Sequence, residues 1–134
     1  MFKTKPYRVY VYDTDVAGVV HHSNYLRYFE AGRIEYLRHL NHPYLLFQQQ
    51  GIGFVPVSIH IQYKKPLRED DCYEVGTVLT SFKKASFSVN QSILCNHTPY
   101  VEATIQLACV QEPAFKPRRL PNELYASFCK LALE

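Results

Sequence analysis

The sequence predicts an α+β fold in which a curved antiparallel sheet wraps one long central helix, all within a single domain of residues 1 to 134. Two observations carry this expectation. Between Asn24 and about Leu40, apolar side chains recur at helical spacing and widen until they cover most of the helix. Beyond that segment the hydrophobic period becomes two, in runs joined by short polar connections such as "REDD", "SFKKAS" and "NHTP", which suit antiparallel pairing. A helix that is apolar on most sides must be enclosed, and a sheet curled around it does so.

In chain order, "YRVYVY" at residues 7 to 12 is β-branched and aromatic and leads into the turn-forming "DTD", so a strand is expected there. Leu26, Phe29, Leu37 and Leu40 mark the helix, with Tyr25, Tyr28, Ile34 and Tyr36 broadening its face. Ser23 or Asn24 is the expected N-cap. Pro43 and the two glycines of "GIG" then mark a turn region. Four strands follow as a meander. The first has Val55, Val57, Ile59, Ile61 and Tyr63 on one face, and the second is the less regular "YEVGTVLTSF" of residues 73 to 82. The third repeats the alternation through Phe87, Val89, Gln91, Ile93 and Cys95, and the fourth through Val101, Ala103, Ile105, Leu107 and Cys109. "RRLPNELYASFCKLALE" predicts a short terminal helix.

Composition excludes several classes of function. Hydrophobic content of 47% with eleven tyrosines belongs to a folded protein rather than a disordered tail. A net charge of +3, dispersed along the chain, argues against nucleic-acid binding. The cysteines Cys72, Cys95, Cys109 and Cys129 have no CxxC spacing, so reduced thiols are expected and structural zinc is not. There is neither a signal-peptide run nor the ~20 apolar residues a membrane span requires, and a cytoplasmic location is expected.

The densest chemistry lies in "YDTDVAGVVHHSNYLRYFEAG", residues 12 to 32. A carboxylate on a loop just before a helix sits near unsatisfied backbone N–H groups and the positive end of the helix dipole. It can cap the turn or helix for about 1 kcal/mol. It can also attack a carbonyl, or activate water to do so, while the helix N–H groups hold the oxyanion. Gly18 frees the backbone, Val19 and Val20 would keep the pocket dry, and His21 and His22 add acid, base or hydrogen-bonding groups. Asp13, Asp15, His21 and His22 are also of metal-ligating type, but adjacent histidines diverge and no metal is expected.

"YDTDVAGVVHHSNYLRYFEAGR" resembles the signature of the hotdog-fold acyl-CoA thioesterases of the 4-hydroxybenzoyl-CoA thioesterase type, most closely the subgroup associated with the Tol-Pal system. "VPVSIHIQYKKPLREDD", "SFSVNQSI" and "KPRRLPNEL" are similar to later parts of that family, so the resemblance covers the whole chain. It implies hydrolysis of an acyl-CoA thioester to free acid and coenzyme A, without cofactor or metal. It further implies that Asp15 is nucleophile or general base and that the backbone N–H at His22 polarises the thioester carbonyl. Asp13 would hold the loop, and Gly18, Val19, Val20 and His21 would line the substrate pocket.

Basic residues for the coenzyme A phosphates would be Lys83 and Lys84, with Arg118-Arg119 and Lys64-Lys65 as weaker candidates. The chain departs from the subgroup at Val11, where a tyrosine is common. Glu30 is read as a hydrogen-bonding or surface residue, Glu35 as the partner of a neighbouring base, and His60 as pointing away from Ile59 and Ile61. Hotdog domains pair through open sheet edges, so a homodimer, doubled to a homotetramer, is expected. The competing reading is a non-catalytic acyl-thioester binding or partner protein; dehydration of a hydroxyacyl thioester ranks below it.

Overall fold

The computed structural model describes residues 1–134. Two short strands come first, β1 (Phe2–Lys3) and β2 (Tyr7–Arg8), and a 3-10 turn over Val11–Asp13 follows them. The strand expected to continue to residue 12 therefore stops at Arg8. Hydrogen bonds from the Asp13 N–H to the Tyr10 carbonyl and from Thr14 to Val11 close the turn, and it swings the Asp13 side chain inward.

Helix α1 (Asn24–His39) matches the expected span. Its buried residues are Tyr25, Tyr28, Phe29, Gly32, Tyr36 and Leu37, a stripe at helical spacing. Leu26, Arg27 and Glu30 are exposed, so the helix is enclosed on one side and open on the other. Neither expected N-cap side chain caps it. Ser23 Oγ lies 2.8 Å from His21 Nδ1, and the Asn24 side-chain amide donates to the Asp13 carbonyl at 2.9 Å. Both side chains have found partners in the preceding loop, where they fix the loop against the helix start.

A one-and-a-half-turn helix, α2 (Tyr44–Gln49), occupies the region expected as turn, with Pro43 just before it. The long strands are β3 (Ile52–Tyr63), β4 (Cys72–Phe82), β5 (Ser86–Cys95) and β6 (Thr98–Gln111); then come the short β7 (Lys116–Pro117) and helix α3 (Asn122–Ala132). The sheet order is β1-β4-β5-β6-β3, with β2 also on β4 and β7 also on β6. The four long strands are thus not a simple meander: β3 pairs with β6 and forms the far edge, away from β4.

The segment 64 to 71 crosses from one edge of the sheet to the other, past the start of α1. The N–H groups of Lys64 and Lys65 both donate to the Tyr100 carbonyl, while the wholly buried Leu67 donates to the Tyr25 hydroxyl and accepts from the Val20 N–H. This crossing closes one end of the concave face.

On that face β5 and β6 present the expected residues: Phe87, Val89, Gln91 and Ile93, and Val101, Ala103, Ile105, Leu107 and Cys109, are all buried. In β3 the expected alternation shifts at a bulge between Pro56 and Ser58. Phe54 and Pro56 share the register of Cys109 and Leu107 before it, whereas Ile59, Ile61 and Tyr63 share that of Ile105, Ala103 and Val101 after it. Val55 and Val57 leave the inward set, because one extra residue reverses which side chains face the core. His60, paired with Thr104, falls on the face opposite Ile59 and Ile61, as expected.

Gly32 lets α1 approach the sheet, since a Cβ there would collide with the Val75 side chain. Beside this contact the buried Gln91 amide donates to the Phe29 carbonyl and to Thr77 Oγ1, each at 3.0 Å, and accepts from Arg33 at 3.1 Å. Burial lowers the Arg33 pKa, with nearby Glu30 opposing that effect. Glu30 is itself exposed, and Glu35 pairs with Arg38 at 3.6 Å. At the other end of the sheet, α3 seals the core with Leu124 and Phe128, whose ring lies 5.2 Å from that of Phe87. No helix is long and apolar enough to cross a membrane.

Candidate active site

The two aspartates of the Asp-Thr-Asp sequence part company in the fold. Asp13 is 7% exposed, and its carboxylate accepts from the Tyr28 hydroxyl at 2.7 Å and from the Arg27 guanidinium at 2.5 Å. Its carbonyl also accepts from the His21 N–H at 3.0 Å. Burial, then the hydrogen bond to Asp13, drives the Tyr28 pKa upward, so the phenol stays protonated as a donor. Every polar atom of the Asp13 side chain is engaged in holding the loop.

Asp15 is exposed. Its backbone opens a turn, accepting from the Gly18 N–H and donating to the Val19 carbonyl, and Oδ1 accepts from the Ala17 N–H at 2.8 Å. Gly18 has φ +78, in the left-handed region glycine tolerates best. Two isolated bridges, Thr14 to Val20 and Val19 to Arg68, fasten the turn to the crossing segment. Its other carboxylate oxygen, Oδ2, makes no hydrogen bond within the chain.

That cleft, of about 330 Å³, is lined by Asp15, Val19, Val20, His22, Tyr25, Tyr63, Lys64, Lys65 and Pro66. Of the residues singled out from sequence, Asp15, Val19, Val20 and His22 thus meet at the start of α1, while Gly18 and His21 stand outside the lining. The N–H groups of His22 and Tyr25 have no acceptor within the chain, so donors at the positive end of a helix stand beside a carboxylate. His21 stacks on His22 with ring centroids 4.2 Å apart, and its Nδ1 is occupied by Ser23 rather than turned into the cleft. No three histidine, cysteine, aspartate or glutamate side chains gather in metal-ligating positions. The arrangement suits attack on a carbonyl carbon: a carboxylate for the nucleophilic or basic role, helix N–H groups for the developing oxyanion, and valines to limit water.

Tyr25 and Tyr63 carry no site signal in the sequence, and Lys64-Lys65, there only weaker candidates for the phosphates, line this cleft because β3 and the crossing segment join it through the tertiary fold. Tyr63 packs on Tyr25 at 5.7 Å, while Val11, Tyr10 and Tyr12 lie exposed on the neighbouring turn. Lys83 and Lys84 do not reach this cleft in one chain. They lie past the end of β4, whose 11 residues run roughly 35 Å from Cys72, near the cleft, to Phe82. There the Lys84 carbonyl accepts from the Leu120 N–H, and Ala85 and Arg118 both bond to Cys109, so Lys83-Lys84 and Arg118-Arg119 gather at one end of the sheet.

The family model of the thioesterase-like superfamily matches residues 9–128. Acyl-CoA thioesterase YbgC of Haemophilus influenzae is 38% identical over 124 residues, covering 92% of this chain and 91% of its own. A solved structure described as a probable thioesterase from Bartonella henselae superposes with a TM-score of 0.85 at 34% identity, over 90% of this chain and 98% of that one. The fold is also that of a Staphylococcus aureus DHNA-CoA thioesterase, with a TM-score of 0.93 at 23% identity, over 99% of this chain and 93% of that one. With its hotdog arrangement of sheet and helix and a family match across nearly its whole length, the chain belongs to the thioesterase-like superfamily.

Proposed function

We propose that residues 1 to 134 act as one acyl-CoA thioesterase domain, hydrolysing an acyl-CoA thioester to free acid and coenzyme A. The observation that carries this reading is the meeting of Asp15 with the free N–H groups of His22 and Tyr25 in one cleft. The 38% identity to acyl-CoA thioesterase YbgC over nine-tenths of the chain supports it. The thioester carbonyl oxygen accepts from the His22 N–H while Asp15 attacks the carbonyl carbon directly or removes a proton from attacking water. The water route expels the coenzyme A thiolate and leaves free acid; the direct route expels it and leaves an Asp15–acyl anhydride that a water then hydrolyses, and preorganised donors are each worth about 3 kcal/mol at such a transition state. Val19 and Val20 shield the reacting carbon, and Gly18 sets the turn that presents Asp15.

The substrate phosphates fall to Lys83 and Lys84 of a second copy. β3 is an edge with exposed Val57, Ile59 and Tyr63, and two such edges related by a two-fold axis pair antiparallel when both helices stay on one face. That pairing lays the Tyr63 end of one chain beside the Phe54 end of the other. Phe54 is registered with Cys109, to which Ala85 and Arg118 bond, so the basic cluster of one copy approaches the Asp15 cleft of its mate. A homodimer is therefore the catalytic unit, and pairing of dimers gives the tetramer. The buried free thiols Cys95 and Cys109 fit a reducing, cytoplasmic setting.

The test is free-thiol release from short-chain, long-chain and aromatic acyl-CoAs, with wild type beside Asp15→Asn. Hydrolysis by wild type and its loss in Asp15→Asn is the expected result. An Asp15→Asn protein with full turnover removes Asp15 from the chemistry, and acyl-CoA binding without any thiol release leaves a binding module.

A further inference from the structure

We infer that Arg27 is a positioning residue for the reaction, neutralising Asp13 so that Asp15 works beside one unscreened carboxylate fewer. The inference rests on the assignment of Asp15 above. Asp13 ends the 3-10 turn and Asp15 follows across the extended Thr14, about 7 Å between their Cα atoms. Two carboxylates so placed oppose each other's ionisation unless one is compensated. Arg27, one turn into α1, reaches back across the loop to Asp13 Oδ1 at 2.5 Å while also bonding Asn24 Oδ1, and Tyr28 takes Oδ2. The cation is thus committed to the aspartate that does no chemistry.

Geometry runs through the same contact. Asp13 accepts the His21 N–H on its carbonyl and receives the Asn24 side chain there as well, so the loop is pinned at His21 and the next N–H, that of His22, is left without an acceptor in the chain. An Asp13 carboxylate without Arg27 would be held by Tyr28 alone, within a cluster whose other rings, Tyr73 and Tyr7, bring no positive charge. The charged and titratable groups around Asp15 are His22, Tyr25, Tyr63, Lys64 and Lys65 in the cleft, Arg68 across the bridge from Val19, and Asp13 behind the loop. Lys64 is engaged by Glu102 at 3.2 Å and Lys65 lies over the Tyr100 ring. Neither is placed to take over from Arg27 at Asp13.

The Arg27 side chain is 59% exposed, so Arg27→Met is expected to fold. The experiment compares pH profiles of kcat/KM, by free-thiol release from an acyl-CoA the wild type hydrolyses, for wild type, Arg27→Met, Arg27→Lys, Arg27→Met/Asp13→Asn and Asp15→Asn. Arg27→Met should move the acid limb to higher pH by a few tenths of a unit to about one unit, the effect of one uncompensated nearby charge in a site open to solvent and salt. Arg27→Lys should recover part of that displacement. Removing the Asp13 charge in the double variant should return the limb to its wild-type position, even though both sides of the contact are then altered.

A limb that stays put in Arg27→Met while kcat falls equally at every pH would reduce Arg27 to a structural role and overturn the inference. A displaced limb that the double variant does not restore would overturn it too, since Asp13 would not be the source of the charge. An active Asp15→Asn protein would instead defeat the assignment of Asp15 on which the inference stands.

Discussion

The Tyr25 hydroxyl, on the first turn of α1, accepts the backbone N–H of Leu67 at 3.1 Å. Leu67 is fully buried, and its carbonyl in turn accepts the Val20 N–H at 2.8 Å. One phenol therefore ties the helix start, the crossing segment and the Gly18-Val19-Val20 turn into a single unit. Tyr25→Phe keeps the ring but leaves the Leu67 N–H without a partner. The expected cost is about 1–3 kcal/mol, read from urea unfolding. kcat should fall with it, because the loop carrying Asp15 loses its tether; Tyr63→Phe, in the same cleft but with no hydroxyl partner in the chain, should leave stability unchanged.

Two glycines separate strain from crowding. At Gly18 a Cβ would meet nothing within 4 Å, so Gly18→Ala costs only the left-handed backbone energy, about 1–2 kcal/mol, and disturbs the Asp15 turn. At Gly32 a Cβ would strike Val75 and come within 3.1 Å of Gln91 Nε2. Gly32→Ala should cost about 1–3 kcal/mol by overpacking, remote from the cleft. Thermal unfolding together with thiol-release rates should show Gly18→Ala with the greater loss of activity relative to stability, and Gly32→Ala the reverse.

The tyrosines around Asp13 set an alkaline limit. Burial raises the pKa values of Tyr28 and Tyr73, with the charge of Asp13 adding to both. A phenol whose folded pKa exceeds its unfolded value near 10 contributes stability that is intact below about pH 10. Above that, the unfolded chain releases protons the folded chain retains, and stability falls by about 1.4 kcal/mol per pH unit for each such group. Tm measured from pH 8 to 11 should be flat and then fall, and Tyr28→Phe should fall less steeply. An equal slope in the variant would show that Tyr28 does not contribute.

What the sequence made legible was local. α1 and the alternation of β5 and β6 declare themselves because period and burial coincide over ten or more consecutive residues, and the Asp15 to His22 segment forms one site because it is one loop. β3 was legible as a strand but not in its facing: a bulge at Val57 leaves no mark in a run of valines and isoleucines. Its place beside β6 was hidden as well, since nothing in "KKPLREDD" distinguishes a hairpin from a crossing; the distinction lies in Leu67 being buried under Tyr25. The roles of Asp13 and Arg27 depend on a turn of helix folding back over a loop 14 residues away, and the gathering of Lys83-Lys84 with Arg118-Arg119 depends on pairing across β6.

That last cluster leads to a prediction about the assembly. If the basic residues of one copy serve the Asp15 of another, the two functions can be supplied by different chains. Asp15→Asn chains alone should be inactive, and Lys83→Ala/Lys84→Ala chains alone should show a raised KM with kcat nearly retained. When the two are unfolded together and refolded as mixed dimers, one cleft in each mixed dimer combines an intact Asp15 with intact lysines, while the other carries both defects. At low acyl-CoA concentration the mixture should recover about a quarter of wild-type activity with the wild-type KM, since half the dimers are mixed and half their sites are whole. Were the lysines to act within their own chain, no site in the mixture would be whole and the low-KM activity would stay absent. Ile59→Lys, which sets a charge on the exposed β3 edge, should prevent recovery by leaving monomers, visible in light scattering.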